Sequence, residues 1–431
     1  MNNGTRSLAL VVGESKRFAA FLFSELKPKG RILTPFNIIA GIILLVAAVL
    51  LTIRFTKGLA STTNLSQDFP WGIWIGFDVI TGVAFAGGAY VVTFMVYVMR
   101  LEKYHPIVRM TVLNGFLAYV FYAGALLFDL GRPWNVINPI IGNSFGVSSV
   151  MFLVAWHFML YMITEFIEFS PAIAEWLGWK RVRKFLGSLT LGAVILGITL
   201  STLHQSGLGA LFLMAKNKIH PLWYSEFIPI LFFVSSIFAG LSMVIFEGSI
   251  SQRVFRTQIS PGHRTGHDDI VIGLARVCAG TMYVYFFLKV LVFVHGQQWT
   301  YINTPLGYWF LVEIVGFVLI PVRLFTQAVR FGNLSLIRVA SVLTLIGIVL
   351  NRLNVSVIAY KWYAPEHYVP SWMEIEITLA VVVAEILVLR WVVNRMPILR
   401  ESPQWARDGK GTREVEFVIR KEEEKQWATS T

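Results

Sequence analysis

The sequence predicts an all-α polytopic membrane protein with ten transmembrane helices, arranged as two four-helix bundles plus two peripheral helices. Three observations carry that prediction. Hydrophobic residues make up 55% of the 431 and charged residues only 14%, a balance that a soluble core cannot absorb. Ten apolar runs of bilayer-spanning length recur, at 37–55, 71–98, 110–130, 148–168, 187–205, 226–248, 270–294, 306–325, 336–353 and 373–394; helices suit them because an α-helix satisfies its own backbone in lipid. The basic residues also segregate. With the amino terminus in the cytoplasm, the stretches 1–36, 99–111, 169–186, 251–268, 323–338 and 390–431 carry 28 of the 37 Lys and Arg, against 7 on the opposite side. This positive-inside pattern places both termini in the cytoplasm. The net charge of +12 then reflects topology and anionic lipid, not nucleic acid.

Residues 1–36 read as a cytoplasmic or interfacial segment. The apolar patch from Leu8 to Val12 is too short for a cleavable signal. An amphipathic helix over 7–26 would lay Phe18, Phe21, Leu22 and Phe23 against lipid, with Lys16, Arg17 and Lys27 towards headgroups; a floppy tail is the alternative. Residues 37–70 hold the first peripheral helix, plain as far as Arg54, and an outer loop.

Residues 71–225 form the first bundle. Its first span begins FPWGIWIGFDVITG, where Trp71, Trp74 and Asp78 are spaced by three and four and so share a helical face. Asp78 lies roughly 10 Å below the outer surface at about 1.5 Å per residue. A carboxyl at that depth is a functional candidate, with an interhelical packing bond as the other reading. The next span ends FDLGRPWN. Asp129 and Arg132 there are three apart, close enough for an ion pair that fixes an Asn-rich loop (Asn135, Asn138, Asn143) or takes part in recognition and proton exchange. The span after it carries His157 near mid-depth and Glu165 and Glu168 towards the cytoplasm. No second histidine is expected at the depth of His157, which argues against haem. The last span of the bundle closes with His204, Gln205 and Ser206 and continues through an interrupted apolar segment to His-Pro-Leu-Trp. A ring able to exchange a proton, set beside Leu208, suits a greasy ligand with a polar head; a helix-capping histidine bonded to backbone is the plain alternative.

Residues 226–372 form the second bundle, with Glu247 near its cytoplasmic surface and Lys289 inside an apolar run, where Glu313 is the available partner. The following outer end brings Asn351, Arg352 and Asn354 together. Gly, Trp, Ile and Asn recur at an offset of 165 between the segments starting at Gly131 and Gly296, which relates the two bundles as parallel repeats. The second copy has Val294 at the place of Asp129, so a ligand site belongs in the first bundle. Residues 373–394 form the tenth, peripheral helix, opening with Glu374 and Glu376, and 395–431 a charged cytoplasmic tail. The single cysteine, Cys278, excludes a disulfide and any cluster motif within the chain.

In the order FPWGIWIGFD, YHPIVR, DLGRPWN, HQSGLGAL, KIHPLW and FEGS, the chain resembles the NrfD/PsrC family of membrane subunits. It is most similar to the ten-span, HybB-like branch found with uptake hydrogenases and periplasmic quinone reductase complexes. The resemblance runs over about 35–399 and departs from related chains at 207–210, where many have a small polar residue. It implies a multi-pass subunit of the bacterial inner membrane that binds menaquinone near the periplasmic face and carries no haem, metal or iron–sulfur cluster of its own. It also implies a periplasmic ferredoxin-like iron–sulfur subunit docked there, with further periplasmic catalytic or cytochrome subunits. Carried onto this sequence, the pocket lies between the Trp71, Trp74 and Asp78 face, the Asp129–Arg132 corner and the His204–Gln205 helix end, with Leu208 beside them. His204, whose ordinary pKa is near 6.5, would give a proton to a quinone carbonyl and Asp129 or Asp78 would resupply it. Glu247, Glu168, Glu165, His157 and Asp78 would form a path from the cytoplasm. A secondary transporter and a structural anchor without its own quinone site are the competing classes.

Overall fold

The computed structural model describes residues 18–138, 146–259 and 266–400, with Pro403 and Trp405. The expectations for residues 1–17, Asn143 and most of the tail lie outside them. The described chain is all-helical, its single β contact being an isolated bridge between Ile219 and Tyr360. Ten long helices follow in order: α1 Pro35–Lys57, α2 Trp74–Val98, α3 Glu102–Asp129, α4 Val150–Leu177, α5 Lys180–Leu211, α6 Ile228–Val254, α7 His267–His295, α8 Pro305–Phe331, α9 Leu334–Ile358 and α10 Trp372–Arg395. Among the described residues, nine of them, α1 to α9, are long and apolar enough to cross a membrane. The helix α10 is 24 residues long but carries Glu374, Glu376, Glu385, Arg390 and Arg395, more charge than a plain span tolerates.

Local chemistry sets the helix starts. Thr34, Ser149, Thr304 and Asn333 accept from backbone amides at the starts of α1, α4, α8 and α9. Ser371 and Glu374 form a reciprocal capping box on α10. Wide π turns occur at Trp74–Val79 and Phe94–Val98 in α2, at Val312–Leu319 in α8 and at Asn354–Ile358 at the end of α9, the one at Phe94–Val98 being apolar. The other three hold a buried polar residue, Asp78, Glu313 and Asn354 respectively; π turns often accompany functional positions.

The helices α2 and α6 meet backbone to backbone. A side chain at Gly240 would strike Gly87 and Gly88, and one at Gly88 would meet Gly240 and Val244, the close approach that small residues permit between membrane helices. The helix α10, expected to be peripheral, packs on α1 and α3, and the Trp74 indole donates to the Glu374 carbonyl at 3.1 Å. The early helix, at 18–26, stacks Phe18 on Trp179 at 5.9 Å and places Phe21 against Trp176 at 5.5 Å. These two rings are therefore held by protein at the end of α4, while Phe23 remains exposed. We call the helix ends bearing the Lys/Arg-rich stretches the basic end.

The α5–α6 connection is pinned to the α9–α10 loop. His220 N–H donates to the Ala359 carbonyl at 2.9 Å, and the His220 ring lies 4.8 Å from Trp362, 5.2 Å from Tyr301 and 5.6 Å from Trp223. Burial pushes the pKa of His220 down from 6.5 to about 4. The unfolded segment therefore takes up a proton first, so the stability contributed here is complete above pH 6.5, falls with pH, and is lost towards pH 4. Tryptophan fluorescence of this loop should change between pH 7 and 4.5, and His220→Gln should flatten that change.

Candidate functional site

Four buried polar groupings occupy the helix bundle. The first lies at the start of α2. Asp78 is fully buried; its Oδ2 accepts from Thr378 of α10 at 3.3 Å and its Oδ1 has no partner. The π turn and the late start of α2 give Trp71 and Trp74 different surroundings, so the shared face expected from their spacing does not form. Trp74 sits on Leu50 and Ile377, while Trp71 packs edge-on against Phe212 at 5.4 Å.

The expected Asp129–Arg132 ion pair also does not form. Arg132 is exposed, and Asp129 Oδ1 is buried without a partner. Arg54 of α1 takes the structural role instead, donating to the Phe128 carbonyl at 2.7 Å and to the Leu130 carbonyl, which completes the end of α3. Sequence reading missed this because Arg54 stands at the edge of an otherwise plain apolar run.

The second grouping surrounds His204, which is not at a helix exit. The helix α5 continues unbroken to Leu211 and a short 3-10 turn, Phe212–Ala215, follows. His204 Nδ1 lies 3.2 Å from the Val154 carbonyl of α4, and its ring sits between Phe158 at 5.3 Å and Tyr119 at 5.8 Å. A carbonyl only accepts, so Nδ1 carries the hydrogen and Nε2 of the neutral ring is an acceptor. Gln205 donates to the Val83 carbonyl of α2 at 2.8 Å, and Leu208 is buried below it. Towards the basic end follow Ser201, Tyr161, Glu165 and Glu168. His204 Nε2, the Tyr119 and Ser201 hydroxyls, both Glu165 oxygens and His157 Nδ1 make no well-formed hydrogen bond, although Tyr119 lies within reach of Ser201 and Gln205, and Glu165 within reach of Tyr161. Buried polar atoms are normally paired, so this concentration marks a place built for water or a ligand.

His157 lies one turn after Val154, so it does have a histidine near its depth, contrary to expectation.

Glu247 belongs to a third grouping and not to the Glu165 column. The Asn114 amide donates to it, and Tyr122 and Glu385 lie beside it in a cavity between α2, α3, α6 and α10. Of the path expected through Glu247, Glu168, Glu165, His157 and Asp78, only Glu247 lines this cavity, while the Glu165 carboxylate abuts its wall at Gly115 and Ala89. Tyr119, Tyr122 and Glu385 were missed; the interruption of the apolar run TLAVVVAEILVL by Glu385 was the available signal.

The fourth grouping lies between α6, α8, α9 and the α5–α6 connection. Glu313 accepts from the Trp223 indole at 2.7 Å, from Asn351 at 2.7 Å and from Asn354. Arg352 donates to Ser235 at 2.7 Å and to the Asn351 side-chain oxygen at 2.7 Å, its guanidinium 3.7 Å above the Phe232 ring centroid. Lys289, expected to pair with Glu313, forms no ion pair among the described residues and lies 5.3 Å over the Phe310 ring. Glu313 is saturated by neutral donors instead.

A bundle of membrane-spanning helices that encloses carboxylates, a histidine and tyrosines, and holds no cysteine cluster, is that of an integral membrane subunit built around buried polar sites. Comparison with known proteins gives the family. The profile described as polysulphide reductase, NrfD matches residues 61–363, and the chain belongs to that family. It is 44% identical over 376 residues, 87% of this chain and 97% of the other, to a Nitratidesulfovibrio vulgaris (strain Hildenborough) protein whose name states no activity. It is 29% identical to the probable Ni/Fe-hydrogenase 2 b-type cytochrome subunit of Escherichia coli K12, over 86% of this chain and 94% of that one. A selenate reductase subunit of Mesobacillus selenatarsenatis is 23% identical over 48% of this chain and 54% of its own. These relationships make the chain a membrane subunit of a redox complex, on the HybB-like branch. The family match ends before α10.

Proposed function

We propose that this chain is the quinone-reactive subunit of a respiratory oxidoreductase in a bacterial inner membrane, exchanging electrons between a periplasmic iron–sulfur partner and menaquinone. The observation that carries this reading is the set of buried polar atoms without a well-formed hydrogen bond around His204 in the α3–α4–α5 part of the first bundle, beside a lipid-facing stretch of α4 that exposes Met151, Leu153 and Leu160. A headgroup reaching in from the lipid meets a hydroxyl donor, Tyr119, and an imidazole acceptor, His204 Nε2. The basic end is the cytoplasmic side by the positive-inside rule, which puts the start of α2 and the end of α3 at the periplasmic face where an electron-transfer partner docks.

Quinone supplies the two-electron chemistry. The residues of this chain hold and move protons. The tautomer set by Val154 changes the role expected for His204: the neutral ring accepts a hydrogen bond from a quinol hydroxyl, and it donates to a quinone carbonyl only after Nε2 has been protonated. Tyr119 is the donor to the carbonyl, and Gln205, tied to Val83, fixes the helix beside it. His204→Ala, at matched assembly and matched partner content, should lower quinone reduction at least tenfold while the partner's redox centres remain reducible. Unchanged turnover would reduce the chain to an anchor with the quinone site elsewhere.

A further inference from the structure

Two cavities share a wall. One opens at the basic end between α3, α6 and α7, passing Ser251, Gln252 and His267; the other lies deeper, bounded by Phe85, Tyr122, Met243 and Glu385. Thr111, Asn114, Val244 and Glu247 line both, so Glu247 stands where the funnel meets the inner chamber. Glu385 reaches into that chamber from α10, with the Tyr122 hydroxyl within hydrogen-bonding reach of its carboxyl. The Tyr122 ring lies directly on Gly82, where any side chain would collide with it. Gly82 is one turn after Asp78 on α2. Asp78, in turn, bonds Thr378 of α10, seven residues before Glu385, or about 10 Å at 1.5 Å per residue. Tyr122 fills that interval.

From this arrangement we infer that α10, which lies outside the part of the chain matched to the family, supplies the central group of a proton route: His267 and Glu247 at the basic end, then Glu385, then Tyr122, which stands one turn along α3 from Tyr119 of the quinone site and hands protons to it, with Asp78 beyond. The inference rests on the quinone-reducing reading above. Reduction of a quinone consumes two electrons, delivered by the complex's electron-transfer partner, and two protons. The route takes those protons from the basic side by exchange between carboxyl and hydroxyl groups, leaving the row in its starting state once it has been refilled. Glu168, Glu165 and Tyr161 do not line either cavity, and the Glu165 carboxylate abuts Gly115 beside Ala89 on the wall of the inner one.

The test uses the whole complex in sealed vesicles, with quinone as acceptor, and follows both quinol formation and the membrane potential. Glu385→Gln keeps the shape of the side chain and Tyr122→Phe removes only a hydroxyl, so assembly and retained quinone are measured alongside each. Both variants should retain quinone yet lose potential generation at least tenfold, while Glu376→Gln, on the same helix as Glu385 but outside the row, keeps it. Wild-type potential and turnover in Glu385→Gln and Tyr122→Phe would overturn the route while leaving the quinone reading intact. A wild-type complex that neither retains nor reduces quinone would overturn both.

Discussion

Glu313→Ala should destabilise the folded subunit by about 3–5 kcal/mol, the cost of stranding one side of a buried charged network. The substitution removes the shared acceptor of the Trp223 indole and the Asn351 and Asn354 amides, and it leaves Arg352 and Lys289 buried without their nearby negative charge. The damage spreads beyond one helix, because Trp223 belongs to the α5–α6 connection and the two asparagines to α9. Thermal inactivation of the purified complex, or the fraction of subunit surviving detergent extraction, reads the loss. Glu313→Gln, which keeps the shape and one acceptor oxygen, should fall between wild type and Ala. Lys289→Met should be nearly neutral, since Lys289 has no ion pair to lose and its stem already lies in apolar surroundings.

Gly240→Leu should have an effect of similar size for an unrelated reason. The Cα of Gly240 faces the backbone of Gly87 and Gly88, where even a methyl group has no room. Backbone cannot rotate out of the way as a side chain can, so α2 and α6 must separate, at a cost of about 3 kcal/mol or more. That separation would also disturb Tyr90, whose hydroxyl meets Ser236 Oγ at 2.9 Å across the same contact. Assembly of the subunit should fail or its melting temperature fall sharply. Gly316→Leu on α8, with no atom near its Cβ position, is the matched control and should be tolerated.

Much of the architecture was legible because it depends on one-dimensional signals. Run length is a property of a sequence, and it locates all ten long helices, nine of which are apolar enough among the described residues to cross a membrane. Asp78, His204, Glu165, Glu247 and Glu313 stand out for the same reason, since polar residues in apolar runs need explanation wherever they fall. Which of them meet is another matter. Trp71, Trp74 and Asp78 were placed on one face by assuming a regular helix, and the π turn at Trp74–Val79 breaks that assumption. Asp129 and Arg132 are close in sequence, but the arginine that completes the end of α3 comes from α1, which no local spacing reveals. Lys289 and Glu313 looked complementary as charges, yet three neutral donors reached the carboxylate first. Glu385 does mark its own helix by interrupting an apolar run, but its partner Tyr122, across a cavity, leaves no mark on the pattern of α3.

The central claim is that quinone chemistry takes place in the α3–α4–α5 part of the first bundle, beside His204 and Tyr119. The most direct measurement is photolabelling of the intact complex with an azido-substituted quinone, followed by mapping of the labelled peptides, with excess unmodified quinone as competitor. Competable label should fall on α4 and α5, around Val154 to Tyr161 and Ser201 to Leu208, and should decrease in His204→Ala. Competable label confined to α7–α9, or to another subunit, would contradict the account.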